Sequence, residues 1–107
     1  MYEKAARERI VFGYSRDVSN RFIIHPIQSI TVKLIHELYA DGDSMGDIKA
    51  RLEACGIPSP YNYSKWGKQV ISKILSYERY LGNEVYPAII DQELYDRVQA
   101  VRQSRAK

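Results

Sequence analysis

The side chains best suited to contact another molecule lie between residues 65 and 76, on one side of a predicted helix. At about 100° of rotation per residue, they face away from an apolar half formed by Trp66, Val70, Ile71, Ile74 and Leu75. The outward set comprises Lys65, Lys68, Gln69, Ser72, Lys73 and Ser76. Lysines attract phosphate, a glutamine amide can pair with an adenine edge, and serines can donate to phosphate or base. This set is typical of a surface that reads a nucleic-acid groove, although a lysine-bearing helix face is also often merely solvated.

Catalytic and metal-binding residue patterns are poorly represented elsewhere in the sequence. It has no Ser/His/Asp or Cys/His set, no phosphate-binding glycine loop and no paired carboxylates in an identifiable cleft. The single cysteine, Cys55, cannot close an internal disulfide, and we interpret it as a small apolar residue. The two histidines lack metal-ligand spacing, so we expect His25 at the end of a hairpin and His36 exposed on a helix. We therefore expect neither a cofactor nor a metal ion.

The composition is that of one ordinary globular domain. Of the 107 residues, 45% are hydrophobic and 27% are charged, a balance that allows a core to be buried. No apolar run approaches the roughly 18 residues needed to span a bilayer, and the charged N-terminus is unlike a signal peptide, so we expect a cytoplasmic protein. The formal net charge is +3, and residues 61–82 carry four basic side chains against one acidic side chain. Because this segment contains the outward set, its charge favours a nucleic-acid partner.

The first 40 residues predict a small hairpin followed by a helix. Residues 11–16 and 22–25 are rich in β-branched and aromatic types and flank a polar stretch, which favours two short strands. From Pro26, apolar residues recur at helical spacing until Asp41-Gly42 ends the pattern. The apolar residues of this helix are Ile27, Ile30, Leu34, Ile35 and Leu38.

Two further helices are predicted before residue 77. Ser44 is a candidate N-cap with Asp47 as its capping-box partner, and an apolar stripe of Met45, Ile48 and Leu52 follows before Gly56. Pro58 and Pro60 hold the connection open. Ser64 can then cap a third helix with Lys65 and Trp66 in its first turn, ending at about Ser76. Two short helices of which the second has a basic face suggest a helix-turn-helix.

The C-terminal third is predicted to be part strand and part helix. Gly82 and Pro87 limit helix formation, and two short β-prone patches around them could pair with the N-terminal hairpin. Asp91 can cap a last helix with an apolar stripe of Leu94, Val98 and Val101 beside Tyr95. The predicted fold class is α+β, mainly helical, with a helix-turn-helix-like unit and a small β-hairpin or sheet.

From Phe12 to Gln99, the chain resembles the recombinase domain of large serine recombinases, which are the integrases and transposases of bacteria, phages and mobile elements. The resemblance rests on the order and spacing of many short matches, because no single match is specific. The turn Gly56-Ile57-Pro58-Ser59-Pro60 follows the family's pattern of glycine, hydrophobic residue, proline, threonine or serine, and proline. The other matches are Phe12-Gly13-Tyr14, Glu37-Leu38-Tyr39 with Gly42, Ile48 with Leu52, Trp66, Val70, Ile74, Leu75, Tyr80-Leu81-Gly82, Pro87-Ala88-Ile89-Ile90-Asp91, Glu93-Leu94 and Val98-Gln99.

The resemblance implies a DNA-binding domain that places a helix in the major groove of one arm of an attachment site. It implies that residues 1–10 are the end of an upstream joining helix, residues 11–99 the recombinase domain and residues 100–107 the start of a downstream linker. It also implies a longer bacterial or phage-encoded parent, dimeric or tetrameric through other domains, with a catalytic serine domain upstream and usually a zinc domain with a coiled coil downstream. Site selection is then expected in this chain, and strand cleavage is not.

Two other interpretations remain open at this point. The string from Tyr14 to Ser19 is similar to the tyrosine, arginine and serine that open a serine-recombinase catalytic domain, but it has one extra residue, and we interpret it as chance. If it were not chance, the chain would be a complete small DNA-cleaving enzyme with Ser19 or a tyrosine as nucleophile. The third interpretation is a protein-interaction module whose lysines only maintain solubility.

Overall fold

The computed structural model describes residues 11–60 and 62–105. Within these ranges the fold is mainly helical, with one two-stranded antiparallel sheet, which confirms the predicted class. The predicted joining helix at residues 1–10 lies outside the described residues. The elements are β1 (Tyr14–Arg16), β2 (Phe22–Ile24), α1 (Pro26–Ala40), α2 (Met45–Ala54), α3 (Lys68–Ser76), a 3₁₀ helix (Glu78–Leu81) and α4 (Gln92–Arg105).

The predicted hairpin forms, and its turn is stabilised locally. The strands pair with Tyr14 opposite Ile24 and Arg16 opposite Phe22. In the turn, the Asp17 carboxylate oxygen Oδ1 accepts the backbone N–H groups of Ser19 and Arg21 at 2.8 and 2.9 Å. Such Asx turns let a short polar loop reverse the chain without a long connection.

Helix α1 begins where Pro26 predicted and is capped by the hairpin's last residue. The His25 side chain accepts, through Nδ1, the backbone N–H groups of Ile27 and Gln28 at 3.2 and 3.1 Å. These N–H groups have no partner inside the helix, so an acceptor before the first turn stabilises it. The prediction that His25 ends the hairpin is confirmed.

The predicted apolar face of α1 is wrong in part, and so is the prediction that His36 is exposed. Ile27 and Ile30 are 70% and 67% exposed, whereas His36 is fully buried. The buried face is formed by Thr31, Val32, Ile35, His36 and Tyr39. This set also has helical spacing, so the sequence contained two overlapping stripes. Packing against α4, α2 and α3 decided between them.

Helix α2 has both halves of the predicted capping box. The Ser44 hydroxyl accepts the Asp47 N–H at 3.0 Å, and the Asp47 carboxylate accepts the Ser44 N–H at 3.1 Å. These hydrogen bonds from Ser44 lower the pKa of Asp47. Ile48 and Leu52 are buried as predicted. Cys55, interpreted from the sequence as a small apolar residue, is the exposed C-cap of this helix.

The segment between α3 and α4 forms no strand in the described part of the chain, so the predicted β-pairing with the hairpin is wrong. Instead, a 3₁₀ turn folds back on itself, and the Tyr80 carbonyl accepts the N–H groups of Ile89 and Ile90 at 2.8 and 3.0 Å. Gly82 has φ +91°, and a Cβ there would lie 2.9 Å from the Ala88 nitrogen. This close approach requires glycine and directs the chain away from an extended sheet.

Buried tyrosines join the hairpin to this turn. The Tyr14 hydroxyl donates to a carbonyl oxygen of Arg79 or Pro87, 3.0 and 2.7 Å away, and the Tyr80 hydroxyl donates to the Phe12 carbonyl at 2.7 Å. Burial raises the pKa of Tyr14 to about 12 and also raises the pKa of Tyr80. The N-terminal hairpin region is therefore joined to the C-terminal half by tyrosine hydroxyl groups from both sides rather than by further strands.

Helix α4 closes the fold and starts at the predicted cap. The Asp91 carboxylate accepts the Leu94 N–H at 2.8 Å, and Leu94 and Val98 are buried against the core. Near its end, the Arg105 guanidinium donates to the carbonyl oxygens of Gly42 and Asp43 at 2.7 and 3.0 Å. Helix α4 therefore packs along α1, and its Arg105 binds the loop before α2. Among the helices of the described residues, none combines the length and hydropathy that a membrane span requires.

Candidate nucleic-acid interface

The start of α3, the candidate recognition helix, is fixed by a tryptophan that precedes it. Trp66 is 2% exposed, and its indole N–H donates to the Ile57 carbonyl at 2.7 Å. Its backbone N–H donates to the Glu53 carboxylate at 2.7 Å. These bonds tie residue 66 to α2 before the helix can begin, and Gly67 becomes the N-cap. The prediction of a core tryptophan is confirmed, whereas the predicted helix start at Ser64 with Lys65 and Trp66 in the first turn is wrong.

Glu53, a residue of α2, binds both Trp66 and another residue of its own helix. Its carboxylate accepts the Lys49 ammonium at 2.7 Å as well as the Trp66 N–H. The hydrogen bond from Lys49, followed by that from Trp66, lowers the pKa of Glu53. Glu53 is therefore engaged by Lys49 of its own helix and by the Trp66 backbone, and it also interacts electrostatically with Lys65 in the loop before α3.

Most of the predicted outward set is exposed on α3. Lys68, Gln69, Lys73 and Ser76 lie on its solvent side, and no acid occurs in the helix. Lys65 is exposed but lies in the loop before the helix. The inner side, Ile71, Ile74 and Leu75, is buried. The amphipathic division predicted from the sequence is present, with its N-terminal end shortened.

Two members of the set have partners that the sequence did not indicate. Ser72 is half-buried, and Arg102 of α4 donates to its hydroxyl and carbonyl oxygens at 3.2 and 3.4 Å. The Lys68 side chain passes over Gly46, where a Cβ would lie 3.8 Å from the lysine nitrogen. Gly46 of α2 therefore lies in ordinary contact distance of the Lys68 side chain of α3, and Ser72 serves partly to hold α3 on α4.

An open groove of about 1270 Å³ runs between α3 and the hairpin. One wall contains Gln69, Lys73 and Ser76 of α3, and the other contains His25 and residues of the hairpin. Among residues 11–60 and 62–105, no aspartate or glutamate lines it. The surface is therefore an open groove with a largely apolar and aromatic floor, and its charged side chains, Lys73 and Arg79, are cationic, which suits an anionic partner better than a cationic one.

Two arginines of this region were not predicted from the sequence to belong to a surface. Arg79, in the 3₁₀ helix, lines the groove beside Tyr77 and Tyr86. Arg16, on β1, lies over the Phe22 ring of β2. Arg79 belonged to the segment predicted as strand, and Arg16 to a string considered only for catalysis. The signal that could have found them was the alternation of arginine with aromatic residues.

The string from Tyr14 to Ser19 has structural roles. The Tyr14 hydroxyl faces two carbonyl oxygens in the core, while Ser19 is exposed in the hairpin turn. An Arg16 guanidinium nitrogen donates to the Asn20 carbonyl at 3.2 Å. The tyrosine and serine are therefore not assembled into one site. No cluster of three His, Cys, Asp or Glu side chains suited to a metal occurs within residues 11–60 and 62–105.

Comparisons with known proteins agree on one family and one fold. The family model described as Recombinase matches residues 26–105, which contain the helices α1 to α4 of the described part of the chain. No curated protein sequence matches the chain. A crystal structure of a large serine recombinase (LSR)–DNA complex has a similar fold, with a TM-score of 0.72 and 18% identity over 90% of this chain. A structure from a study of the Listeria innocua prophage attP site is also similar, with a TM-score of 0.69 and 19% identity over 87% of this chain.

The similar region is a minor part of both larger proteins. This chain spans 32% of the length of the first and 42% of the length of the second. At such identities the comparison shows a shared backbone arrangement.

Proposed function

The chain belongs to the Recombinase family, and from this membership we propose that it binds duplex DNA sequence-specifically through the outer face of α3. The observation that carries the proposal is the acid-free, lysine-bearing face of α3 beside a groove that no described aspartate or glutamate lines. Solvated lysine faces are common, and here the lysine face adjoins a groove whose charged lining residues, Lys73 and Arg79, are cationic, which raises the local positive potential. One of the structures with a similar fold is itself a complex with DNA, which supports the same partner.

The dimensions of α3 suit the DNA major groove. The helix has nine residues, so its axis is about 14 Å long at 1.5 Å per residue, and a major groove about 12 Å wide admits one helix. In helix-turn-helix docking, the N-terminal residues of the second helix meet base edges. Lys68 and Gln69 then face bases, while Lys73 and Ser76, one to two turns later, lie nearer phosphates. Lys65 and Ser72 flank this surface and complete the proposed set.

The target that we propose is one arm of a recombination attachment site. Support comes from the family and from the similar prophage attP-related structure, whose subject is such a site. Strand cleavage is assigned to a catalytic serine domain of a longer parent protein, and assembly into dimers or tetramers is assigned to its other domains. Residues 11–99 act as the targeting domain, and residues 100–107, of which 100–105 complete α4 and still contact the fold, lead toward a downstream domain of that parent. A bacterial or phage DNA target implies a location in the bacterial cytoplasm.

The test is a titration of fluorescently labelled duplex DNA with the protein over a range of salt concentrations. We expect attachment-arm DNA to bind more tightly than a scrambled duplex, and log K to fall linearly with log salt by about 0.9 for each phosphate contact. Lys73→Ala should lower the affinity for both duplexes. Lys33→Ala is the matched control, because Lys33 is also exposed but lies on α1, outside the groove. Absence of binding at low salt, or equal effects of the two substitutions, would contradict the proposal.

A further inference from the structure

Four side chains form a continuous stack that begins at the groove and crosses onto the hairpin. The Arg16 guanidinium carbon lies 4.4 Å from the centroid of the Phe22 ring. That ring stacks on Tyr86 at a centroid distance of 4.4 Å and an interplanar angle of 25°. The Arg79 guanidinium carbon lies 5.2 Å from the Tyr86 ring. We call Arg16, Phe22, Tyr86 and Arg79 the arginine ladder.

Both arginines of the ladder are held by more than ring contacts. Arg16 donates to the Asn20 carbonyl of its own hairpin turn at 3.2 Å. The Nη1 of Arg79 lies 3.0 and 3.3 Å from the hydroxyl oxygens of Tyr77 and Tyr86 and donates to them. An arginine fixed before binding loses less side-chain entropy when it meets a ligand. The two cations are therefore preorganised.

Neither arginine is neutralised by an acid among the described residues. The three ion pairs found there involve Lys49, Arg51 and Arg97. Asp17, next to Arg16, uses its Oδ1 for two backbone N–H groups. Glu78, next to Arg79, is near Tyr95 of α4, where its charge adds to the effect of burial in raising the tyrosine pKa. Neither guanidinium group therefore forms an ion pair among the described residues, and both keep unused N–H donors.

The position of the ladder links it to the outer face of α3. Arg79 and Tyr86 line the same groove as Gln69 and Lys73. From Tyr86 the stack continues to Phe22 on β2 and then to Arg16 on β1. The cationic surface therefore extends beyond the nine-residue helix onto a second element.

We propose that Arg16 and Arg79 form a second contact surface for DNA. This surface binds the phosphodiester backbone beside the DNA major groove that α3 enters. The inference rests on the proposed function and adds to it a role for the hairpin and the 3₁₀ helix. Guanidinium groups present paired donors that match two phosphate oxygens, which suits them to backbone contacts. These contacts position the protein without reading bases, so they strengthen binding to every sequence alike.

The first experiment measures DNA affinity and salt dependence for Arg16→Gln, Arg79→Gln and the double variant. Each single substitution should reduce affinity roughly fivefold to tenfold at 0.1 M salt and lower the salt slope by about 0.9, equally for specific and scrambled duplexes. Arg97→Gln is the matched control, because Arg97 is an exposed arginine of α4 paired with Asp41 at 3.4 Å. Unchanged slopes for both ladder variants overturn the inference.

A second experiment uses the unaltered protein, so it does not depend on how the variants fold. Phenylglyoxal modifies accessible arginines, and mass spectrometry can locate each adduct. Bound duplex should protect Arg16 and Arg79 from modification and leave Arg97 reactive. Equal reactivity of Arg16 and Arg79 with and without saturating DNA overturns the inference.

The contribution of preorganisation is measured with Tyr77→Phe, which removes one hydroxyl that holds Arg79 and retains the ring. We expect a twofold to threefold loss of affinity with an unchanged salt slope, because the cation remains but is less ordered. The outcomes separate this inference from the proposed function. If Lys73→Ala weakens binding while the ladder variants do not, the function stands and the ladder is wrong, whereas an unaltered protein that fails to bind DNA refutes the function itself.

Discussion

Gln69 and Lys73 lie one turn apart on the exposed side of α3. We expect their substitution to affect DNA binding differently, one through sequence preference and the other through overall affinity. An amide can donate to and accept from one base edge, whereas an ammonium acts on phosphate as a point charge. Gln69→Ala should relax the preference at one base pair by about 1–3 kcal/mol with nearly unchanged nonspecific affinity. Lys73→Ala should weaken binding to all sequences and reduce the salt slope by about one contact.

Competition binding of these two variants against randomised attachment-arm duplexes measures both effects. The unaltered protein provides the reference preference at every position. If Gln69→Ala keeps that preference and a hairpin substitution alters it, base reading belongs to the hairpin rather than to α3.

Trp66 is the residue whose loss should cost the most stability. It is 2% exposed, lies edge-on to Phe12 at a centroid distance of 6.1 Å and donates to the Ile57 carbonyl. Trp66→Ala leaves a cavity and an unpaired carbonyl, so we expect a loss of about 3–5 kcal/mol. Urea unfolding followed by circular dichroism measures it, with Trp66→Phe as the smaller truncation. An unchanged midpoint accompanied by lost DNA binding would instead place the indole on the DNA surface.

At the scale of elements, α4 positions α3 through contacts away from the outer face that carries Gln69 and Lys73. Gln99 donates to the Leu75 carbonyl at 2.7 Å, and Arg102 donates to both oxygens of Ser72. The Leu75 carbonyl lies in the last turn of α3, where helices lack internal donors, whereas Ser72 lies in the middle of the helix. Helix α4 therefore satisfies the end of the candidate recognition helix.

Arg102→Ala should loosen α3 without removing a residue from its outer face. We expect the free energy of unfolding to fall by about 0.5–1.5 kcal/mol, because hydrogen bonds to two oxygens are lost. Discrimination between attachment-arm and scrambled DNA should fall as well, because the orientation of Gln69 depends on a fixed helix. Denaturant titration and competition binding measure these two effects. Gln103→Ala, an exposed neighbour on α4, is the control, and equal behaviour of the two variants argues against positioning by Arg102.

For the molecule as a whole, the buried His36 leads us to expect that the free energy of unfolding falls at acidic pH. Burial lowers its pKa, although the hydrogen bond of Nδ1 to the Val32 carbonyl, 2.8 Å away, acts in the opposite direction. Its Nε2 is buried without a partner among the described residues, and the ring meets the Tyr80 ring edge-on. Protonation therefore places an unpaired charge in the core.

The sign of the effect follows from linkage. Below about pH 6.5 the unfolded chain binds a proton that the folded chain does not, so stability falls as pH decreases and levels off below the folded-state pKa. The steepest loss is roughly 1.4 kcal/mol per pH unit. Urea unfolding between pH 7.5 and 5 measures it, and His36→Phe should show a weaker dependence. If the free energy of unfolding depended on pH equally in the unaltered protein and in His36→Phe, His36 would not be the cause of the acid sensitivity.

The assignment of strand cleavage to a separate domain also concerns the whole molecule. We expect no covalent protein–DNA product when this chain is incubated with a nicked attachment-site duplex, because Tyr14 is engaged in the core and Ser19 is isolated in a turn. Denaturing gel electrophoresis measures the product, with a complete serine recombinase as the positive control. A shifted band that disappears in Ser19→Ala would show that the chain is itself catalytic.

The sequence by itself determined the features that depend on neighbouring residues. The hairpin, the Ser44 capping box, the start of α1 at Pro26, the Asp91 cap and the amphipathic division of α3 were all predictable, because each depends on residues within one or two turns of the chain. The motif order also indicated the family, and the family model over residues 26–105 confirmed it.

Only the tertiary structure decided features that depend on contacts distant in sequence. Two stripes of α1 had helical spacing, and packing buried the one that contains His36. The start of α3 moved to Lys68 because Trp66 is tied to Ile57 and Glu53. The arginine ladder joins residues 16 and 22 to residues 79 and 86, and no local pattern specifies such a stack. Which side chains are buried, and which residues distant in sequence come into contact, depends on how all the elements pack together. The extent of the candidate DNA surface could therefore be determined only from the fold.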